Sequence, residues 1–254
     1  MTRPVPGALD ESELETVAST FGVGEAQVRR DHVISHVLAA IATAASDDVV
    51  FYGGTALSRT HTKDLRLSED IDLVAMGLRS ELAERIENEI SRALRRSFGS
   101  VEFLPHIRDT RHPAPSVLSV SGTRIQVQLL SSVGYPRWPT EMHEIEQRYS
   151  DAPPARLRVP TPPAFAAAKL AAWYDRRAPR DLYDMWALAQ KGMIDRTAVE
   201  LFARHGPLTS ASDVRFSPAP NADQWHSALA HQCIPQVSAQ EAADAVACAW
   251  ASLK

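Results

Sequence analysis

The 254-residue sequence is poor in several features that define common protein classes. Its two cysteines, Cys233 and Cys248, are too few for a disulfide framework or a cysteine zinc site. No apolar run approaches the roughly 18–20 residues of a membrane span, and the first residues lack the apolar core of a signal peptide. The formal net charge of −4 excludes a chain that is basic throughout. We therefore expect a soluble, cytoplasmic globular protein with no membrane partner, in which nucleic acid would meet only a local basic patch.

The hydrophobic patterning changes character near residue 150. Before that point helical and strand periodicities alternate; the predicted helices are 11–21, 27–45 and 78–98, and the predicted strands are 49–52, 71–74, 101–107, 117–121 and 124–131. Proline-rich stretches follow at 151–155 and 159–163, and beyond them only helical patterns occur. We predict an α/β domain over residues 1–152 and a helical domain over residues 153–254.

The most informative stretch runs from residue 51 to residue 73. Asp70 and Asp72 are two residues apart at the start of a predicted strand, so their side chains point to the same face. Paired carboxylates suit Mg²⁺ when it also bridges to substrate phosphates. Upstream, Gly53-Gly54-Thr55 follows a strand and opens a helix, where backbone N–H groups and a hydroxyl can hold a polyphosphate. Either feature alone is more often a connector or a helix cap, but both in this order predict a metal–nucleotide site.

Three charged residues of the helical half form a second group of candidates. Lys169 lies on an otherwise apolar helix, where a lysine can also simply extend its amine to solvent. Asp181 and Asp184 are three residues apart on one helix face, and Asp181 by itself is more often a helix cap than a catalytic group. From spacing alone, both interpretations of these residues stay open.

Taken in order, these segments resemble the four motifs of AbiEii/MenT-type nucleotidyltransferase toxins. The matching segments are residues 53–58, residues 67–72, Lys169 with Arg176, and residues 180–184. The resemblance implies an α+β protein whose N-terminal domain is a DNA polymerase β-like nucleotidyltransferase with a small mixed sheet, followed by a helical C-terminal domain. It also implies the toxin of a bacterial toxin–antitoxin or phage-defence pair, with a cognate antitoxin protein as partner.

The same resemblance implies roles for individual residues, with NTP as substrate and Mg²⁺ as cofactor. The catalytic positions it implies are Asp70, Asp72, Lys169, Asp181 and Asp184, of which Asp70 and Asp72 would also hold the metal. The nucleotide-binding positions it implies are Gly53, Gly54, Thr55, Ser58, Ser68 and Arg176.

One strand departs from the polymerase-like pattern. Such transferases usually carry a third carboxylate on a neighbouring strand, as general base or metal ligand. The obvious strand here, residues 123–130, has Gln126 and Gln128 where an acid would be expected. Because a glutamine cannot accept a proton and is a weak metal ligand, the base is either Asp181, Asp184 or a water, or it lies on a different strand.

The reaction implied is nucleotidyl transfer (EC 2.7.7 class), in which an acceptor hydroxyl attacks the α-phosphate of Mg-bound NTP and pyrophosphate leaves. The implied acceptor is the 3′ end of tRNA, and blocking that end would stop translation. Arginine clusters at 92–96, 108–111 and 176–180 are candidate contacts for RNA phosphates. Two alternatives stay open: transfer to a protein hydroxyl or kinase-like phosphotransfer at the same metal site, and a non-catalytic binding module.

A histidine pair raises the separate question of zinc. His32 and His36 are four residues apart on a predicted helix, a spacing that suits two ligands of one ion. No glutamate follows His32 as in metalloproteases, and the sequence shows no third ligand. We therefore expect no zinc site at this pair.

Overall fold

The structure, a computed structural model, describes residues 5–111 and 113–253. The chain divides into two compact units. The first takes in the chain up to Tyr135 together with residues 141–159, and the second takes in Pro136–Thr140 and the chain from Pro160 onward. Within the described ranges, no helix is both long enough and apolar enough to cross a membrane.

The first unit is built on a mixed sheet with helices. Its helices are α1 (Glu11–Phe21), α2 (Glu25–Ala45), α3 (Gly53–Ser58) and α4 (Arg79–Phe98). The strands are β1 (Val49–Tyr52), β2 (Asp70–Ala75), β3 (Val101–Leu104), β4 (Ser116–Val120), β5 (Thr123–Ser131), β6 (Thr140–Ile145) and β7 (Ala155–Pro160). Their order across the sheet is β3-β4-β5-β2-β1-β7-β6.

Strand β2 is central to this sheet and determines where the two aspartates lie. It pairs antiparallel with β1 and parallel with β5. Ile71 and Leu73 are fully buried, whereas Asp70 and Asp72, which alternate with them, are only half-buried. Because successive side chains of a strand point to opposite faces, burial of the two apolar residues leaves both carboxylates on the other face.

A fully buried arginine links several segments of the first unit. Arg59, just after α3, donates to the side-chain Oδ1 of Asp31 on α2 at 2.7 Å and to the backbone oxygen of Glu146 at 2.7 Å. Burial lowers the pKa of Arg59 to about 10, against the opposing effect of Asp31. The guanidinium therefore stays charged at neutral pH, and its ion pair holds α2, α3 and residue 146 together.

The second unit is helical in the residues that the structure describes after β7. Its helices are α5 (Pro162–Arg176), α6 (Pro179–Gln190), α7 (Arg196–His205), α8 (Ala222–Leu229) and α9 (Ala239–Ala251). Helix α6 packs against α5, α8 and α9, and α7 packs against α5. Trp173 and Tyr183 are buried in its core. Ser238 forms a capping box with Glu241 at the start of α9, so the local sequence determines where that helix begins.

Three elements were not predicted from the sequence. Strands β6 and β7 and helix α8 fall in stretches that lack a clear period or are rich in proline. As a result, the first unit continues beyond residue 152, to Val159, where the sequence had indicated linker. Strand β7 pairs in parallel with β1 through Arg158 and Val50, a long-range pairing that local composition does not reveal.

Candidate active site

The first group of predicted site residues surrounds the start of β2. Gly53 has φ +80°, and a Cβ at this position would lie 2.2 Å from Oδ2 of Asp72. Only glycine fits there, because any side chain would displace the Asp72 carboxylate and strain the backbone. The chain turn after β1 therefore lies directly against one of the two candidate metal ligands.

The neighbouring polar residues of this group are mostly engaged with the backbone. Thr55 Oγ1 donates to the carbonyl oxygen of Asp70, and Ser58 Oγ donates to the carbonyl oxygen of Thr55 at 3.1 Å. A Cβ on Gly54 would lie 3.0 Å from Ser68 Oγ and 2.7 Å from an Arg66 nitrogen. Gly54 therefore leaves room for the Ser68 hydroxyl and for the Arg66 guanidinium.

The two glutamines of β5 lie directly beside the two aspartates. In the parallel pairing of β2 with β5, Asp70 is opposite Gln126 and Asp72 is opposite Gln128. The hydroxyl of Tyr52 donates to Oε1 of Gln128 at 3.1 Å, which fixes that amide. The strand expected to carry a third carboxylate is thus the correct neighbour, and it presents neutral amides to the site.

A small cavity and a buried tyrosine lie close to the two aspartates of β2. The cavity, of about 230 Å³, is lined by Asp70 and Gln126 and by two arginines, Arg30 and Arg124. Burial, with a further contribution from the charge of Asp72, raises the pKa of Tyr135. Tyr135 therefore remains protonated at neutral pH. The cavity itself combines carboxylate oxygens with cationic side chains.

The second group of predicted site residues forms a buried ion cluster within the second unit. Lys169 Nζ lies 3.0 Å from Asp181 Oδ1 and 2.6 Å from Asp184 Oδ2. Arg176 contacts both oxygens of Asp181, through Nε at 2.7 Å and a terminal nitrogen at 3.0 Å. The lysine is buried and ion-paired, so the alternative that its amine extends to solvent is wrong.

The environment of Asp181 also differs from that of a helix cap. The N-cap of α6 is Ala178, and Asp181 lies in the first turn. Burial by itself raises the pKa of Asp181, but the charge of Lys169 and the hydrogen bonds and charge of Arg176 outweigh it and lower the pKa to about 2. The carboxylate is therefore ionised at neutral pH and held by two cations.

Sequence comparison assigns the family. The sequence profile described as nucleotidyl transferase AbiEii toxin of the type IV toxin–antitoxin system matches residues 36–247. The chain belongs to the AbiEii nucleotidyltransferase toxin family. This membership implies an antitoxin as partner. None of the curated proteins matches the chain significantly.

One solved structure, that of MenT4, agrees with the fold expected of an AbiEii toxin. MenT4, a nucleotidyltransferase toxin from Mycobacterium tuberculosis H37Rv, superposes with a TM-score of 0.69 at 20% identity, covering 96% of this chain and 89% of that one. An antigenic nucleotidyltransferase-like protein from Paracoccidioides brasiliensis matches with a TM-score of 0.36 at 16% identity, covering 72% of this chain and 78% of that chain. The MenT4 match confirms the predicted α+β nucleotidyltransferase fold.

Several arginines predicted to contact RNA have structural partners in this AbiEii chain. Arg92 is paired with Glu89 one helical turn away. Arg177 lies over the ring of Trp173 at 4.6 Å and donates to the backbone oxygen of Arg215. Three of the arginines predicted to bind RNA phosphates, Arg92, Arg176 and Arg177, therefore already have partners within the protein.

Two residues beside the AbiEii motifs were missed in the sequence. Arg66 lies against Gly54, and Arg30 pairs with Glu69, which directly precedes Asp70. Arg66 is only one residue from the 67–72 motif, so its position was an available signal. Arg30 is remote in sequence, and only the fold brings it to this cavity.

Proposed function

We propose that this toxin transfers a nucleotidyl group from Mg-NTP to the 3′-terminal hydroxyl of tRNA. The observation that carries the proposal is the pair Asp70 and Asp72 on one face of β2, with Gly53 packed directly against the Asp72 carboxylate. The tRNA acceptor rests on the resemblance of the motifs to those of the toxin family. Loss of free tRNA ends would then stop translation in the producing cell.

The donor groups around Asp70 and Asp72 fit a magnesium ion. Two carboxylates two residues apart offer hard oxygen ligands, and the remaining ligands would be water and phosphate oxygens. Bound Mg²⁺ would neutralise phosphate charge and orient the triphosphate. Arg124, which lines the cavity beside Asp70, adds positive charge for the same anion, whereas Arg30 lines the cavity paired with Glu69.

In the proposed reaction the acceptor oxygen forms a bond to the α-phosphorus as the bond to the pyrophosphate oxygen breaks. Pyrophosphate carries away the bonding electron pair, and the acceptor proton is lost to a water or another base. Gln126 and Gln128 cannot take that proton. We infer that catalysis depends on positioning and electrostatic stabilisation. Asp70 and Asp72, which are themselves negative, would contribute by holding the metal ion that supplies positive charge.

The proposed catalytic roles in the second unit carry one condition, which concerns Lys169, Asp181 and Asp184. The Lys169 amine already contacts Asp181 and Asp184. To bind a nucleotide phosphate, it must therefore share these two partners or exchange one of them for the phosphate. Their roles, and those of Ser58, Ser68 and Arg176, stay predictions.

The test incubates the full-length protein with Mg²⁺, total tRNA and each α-³²P-labelled NTP in turn. We expect label on the tRNA 3′ end with one NTP or a subset, lost by at least about 100-fold in Asp70→Asn. Asp64→Asn is the matched control, because it removes an exposed carboxylate from the turn that precedes β2.

Other outcomes of that experiment contradict parts of the proposal. Label on protein and none on RNA would replace the tRNA acceptor with a protein hydroxyl. In a parallel incubation with γ-³²P-labelled NTP, label transferred only from the γ-position would indicate phosphotransfer of the kinase type. No label from any NTP across a range of salts and divalent metals would leave a non-catalytic binding module as the better account.

A further inference from the structure

The histidine pair of α2 faces a third polar group that the sequence did not reveal. Nε2 of His32 and Nε2 of His36 lie 3.3 Å apart, and both side chains are buried. Asp151 Oδ1 lies 3.0 Å from His32 Nε2, and Asp151 Oδ2 lies 3.0 Å from His36 Nε2. Asp151 is 119 residues away from His32 along the chain, in the stretch expected to be linker.

The spacing of these three atoms matches one face of a metal coordination shell. At zinc–ligand distances of about 2.0–2.1 Å, neighbouring ligand atoms of a tetrahedron lie about 3.3 Å apart. With Asp151 Oδ2 as the third atom, the observed separations are 3.3 Å between the two Nε2 atoms, 3.1 Å to His32 and 3.0 Å to His36, close to that value. The three residues are buried, and their ligand atoms lie within 4.8 Å of one another.

Hydrogen bonds among these side chains and a shared cation make different use of the same atoms. A neutral imidazole carries one N–H, on either ring nitrogen. If both Nε2 atoms donate, one to each oxygen of Asp151, the carboxylate is satisfied and the two donor nitrogens lie 3.3 Å apart. If one accepts from the other, the accepting Nε2 cannot donate to the carboxylate. A cation at the centre lets both nitrogens and the carboxylate oxygen direct lone pairs at it together.

Aromatic rings and a backbone N–H group surround the histidine–aspartate group. The ring of Phe98 lies 5.6 Å from that of His32 and 5.0 Å from that of His36, and the Tyr149 ring lies 4.9 Å from that of His32. The backbone N–H of Gly7 donates to Asp151 Oδ2 at 2.8 Å, which orients the carboxylate from behind. Second-layer contacts of this kind are typical of protein metal ligands.

We propose that His32, His36 and Asp151 bind a structural Zn²⁺ ion, with a water as the fourth ligand. Imidazole nitrogen favours zinc over magnesium, which takes oxygen ligands. The ion joins α2 to the segment that follows β6 and, through Gly7, to the N-terminal segment. It stabilises the first unit, and it is independent of the nucleotidyl transfer proposed for Asp70 and Asp72.

The test uses full-length protein made without a histidine tag, stripped with EDTA and then reloaded with ZnCl₂. After removal of free metal we expect about one zinc per chain by mass spectrometry and a zinc-dependent rise in Tm. Co²⁺ in place of zinc should give the visible absorption of a four-coordinate site. Mg²⁺ should produce none of these changes.

Four variants locate the ion. His36→Gln and Asp151→Asn keep the shape of each side chain but should lower zinc affinity by at least about tenfold. His226→Gln, which alters an exposed histidine, and Asp70→Asn should keep full zinc content. Zinc below about 0.1 per wild-type chain with no change in Tm, or zinc retained by folded His36→Gln and Asp151→Asn, would overturn the proposal. The wild-type measurement decides the outcome even if a variant does not fold.

Discussion

The buried ion cluster of the second unit yields a quantitative prediction for Lys169→Met. This change keeps most of the apolar stem and removes the cation that lies 3.0 Å from Asp181 and 2.6 Å from Asp184. Removing one partner of a buried ion pair costs about 3–5 kcal/mol, because the remaining charge stays desolvated. We expect the free energy of unfolding of the second unit to fall by that amount at pH 7.

A double-mutant cycle identifies the origin of that loss. In the Lys169→Met background, Asp184→Asn removes a buried negative charge that the lysine no longer balances, so it should restore part of the stability. The expected coupling energy between the two positions is about 1–3 kcal/mol. Lys191→Met is the matched control, because Lys191 is exposed and its replacement should change stability by less than about 0.5 kcal/mol.

Tryptophan fluorescence during urea unfolding is the assay, and the sequence makes it specific. All five tryptophans, at positions 138, 173, 186, 225 and 250, belong to the second unit. A Lys169→Met loss below about 1 kcal/mol, or an Asp184→Asn effect that is the same with and without the lysine, would refute the reasoning. Loss of activity with unchanged stability would instead indicate that Lys169 acts mainly on substrate.

Two further predictions concern the first unit. Gly53→Ala should abolish Mg-NTP binding, measured by calorimetry, because its Cβ would displace the Asp72 carboxylate and the positive φ adds about 1–2 kcal/mol of strain. The control is Gly24→Ala, which has open space around it and a negative φ and should bind Mg-NTP normally. Normal binding by Gly53→Ala would contradict the geometry. Arg59→Met should lower the stability of the first unit by about 3–5 kcal/mol, seen as faster hydrogen exchange in α2. Exposed Arg92→Met is its control, and unchanged exchange in Arg59→Met would show that the buried ion pair with Asp31 adds little.

Local sequence was sufficient where the signal is a short period or a cap. The helical spacing of α1, α2 and α4 and the glycine turn after β1 were predicted within a few residues of their observed positions. Each depends on contacts between residues a few positions apart, which the sequence displays directly. Strand β7 was missed because its existence depends on pairing with β1, about 105 positions earlier.

The candidate site shows the same division in its chemistry. Alternation along β2 already indicated that Asp70 and Asp72 share a face, and the resemblance of the motifs supplied the family. The register that sets Gln126 opposite Asp70, and the arrival of Arg30 at the same cavity, are long-range facts.

The sequence by itself determined the family, the strand that carries the paired aspartates and the glycines beside them, because these follow from residue identity and short-range geometry. Only the tertiary structure decided that Lys169 is buried in an ion cluster and that Asp151 completes a group with His32 and His36. The physical reason is that burial and coordination require side chains from distant segments, and their meeting depends on packing of the whole unit. Local periodicity and propensity carry no information about that packing.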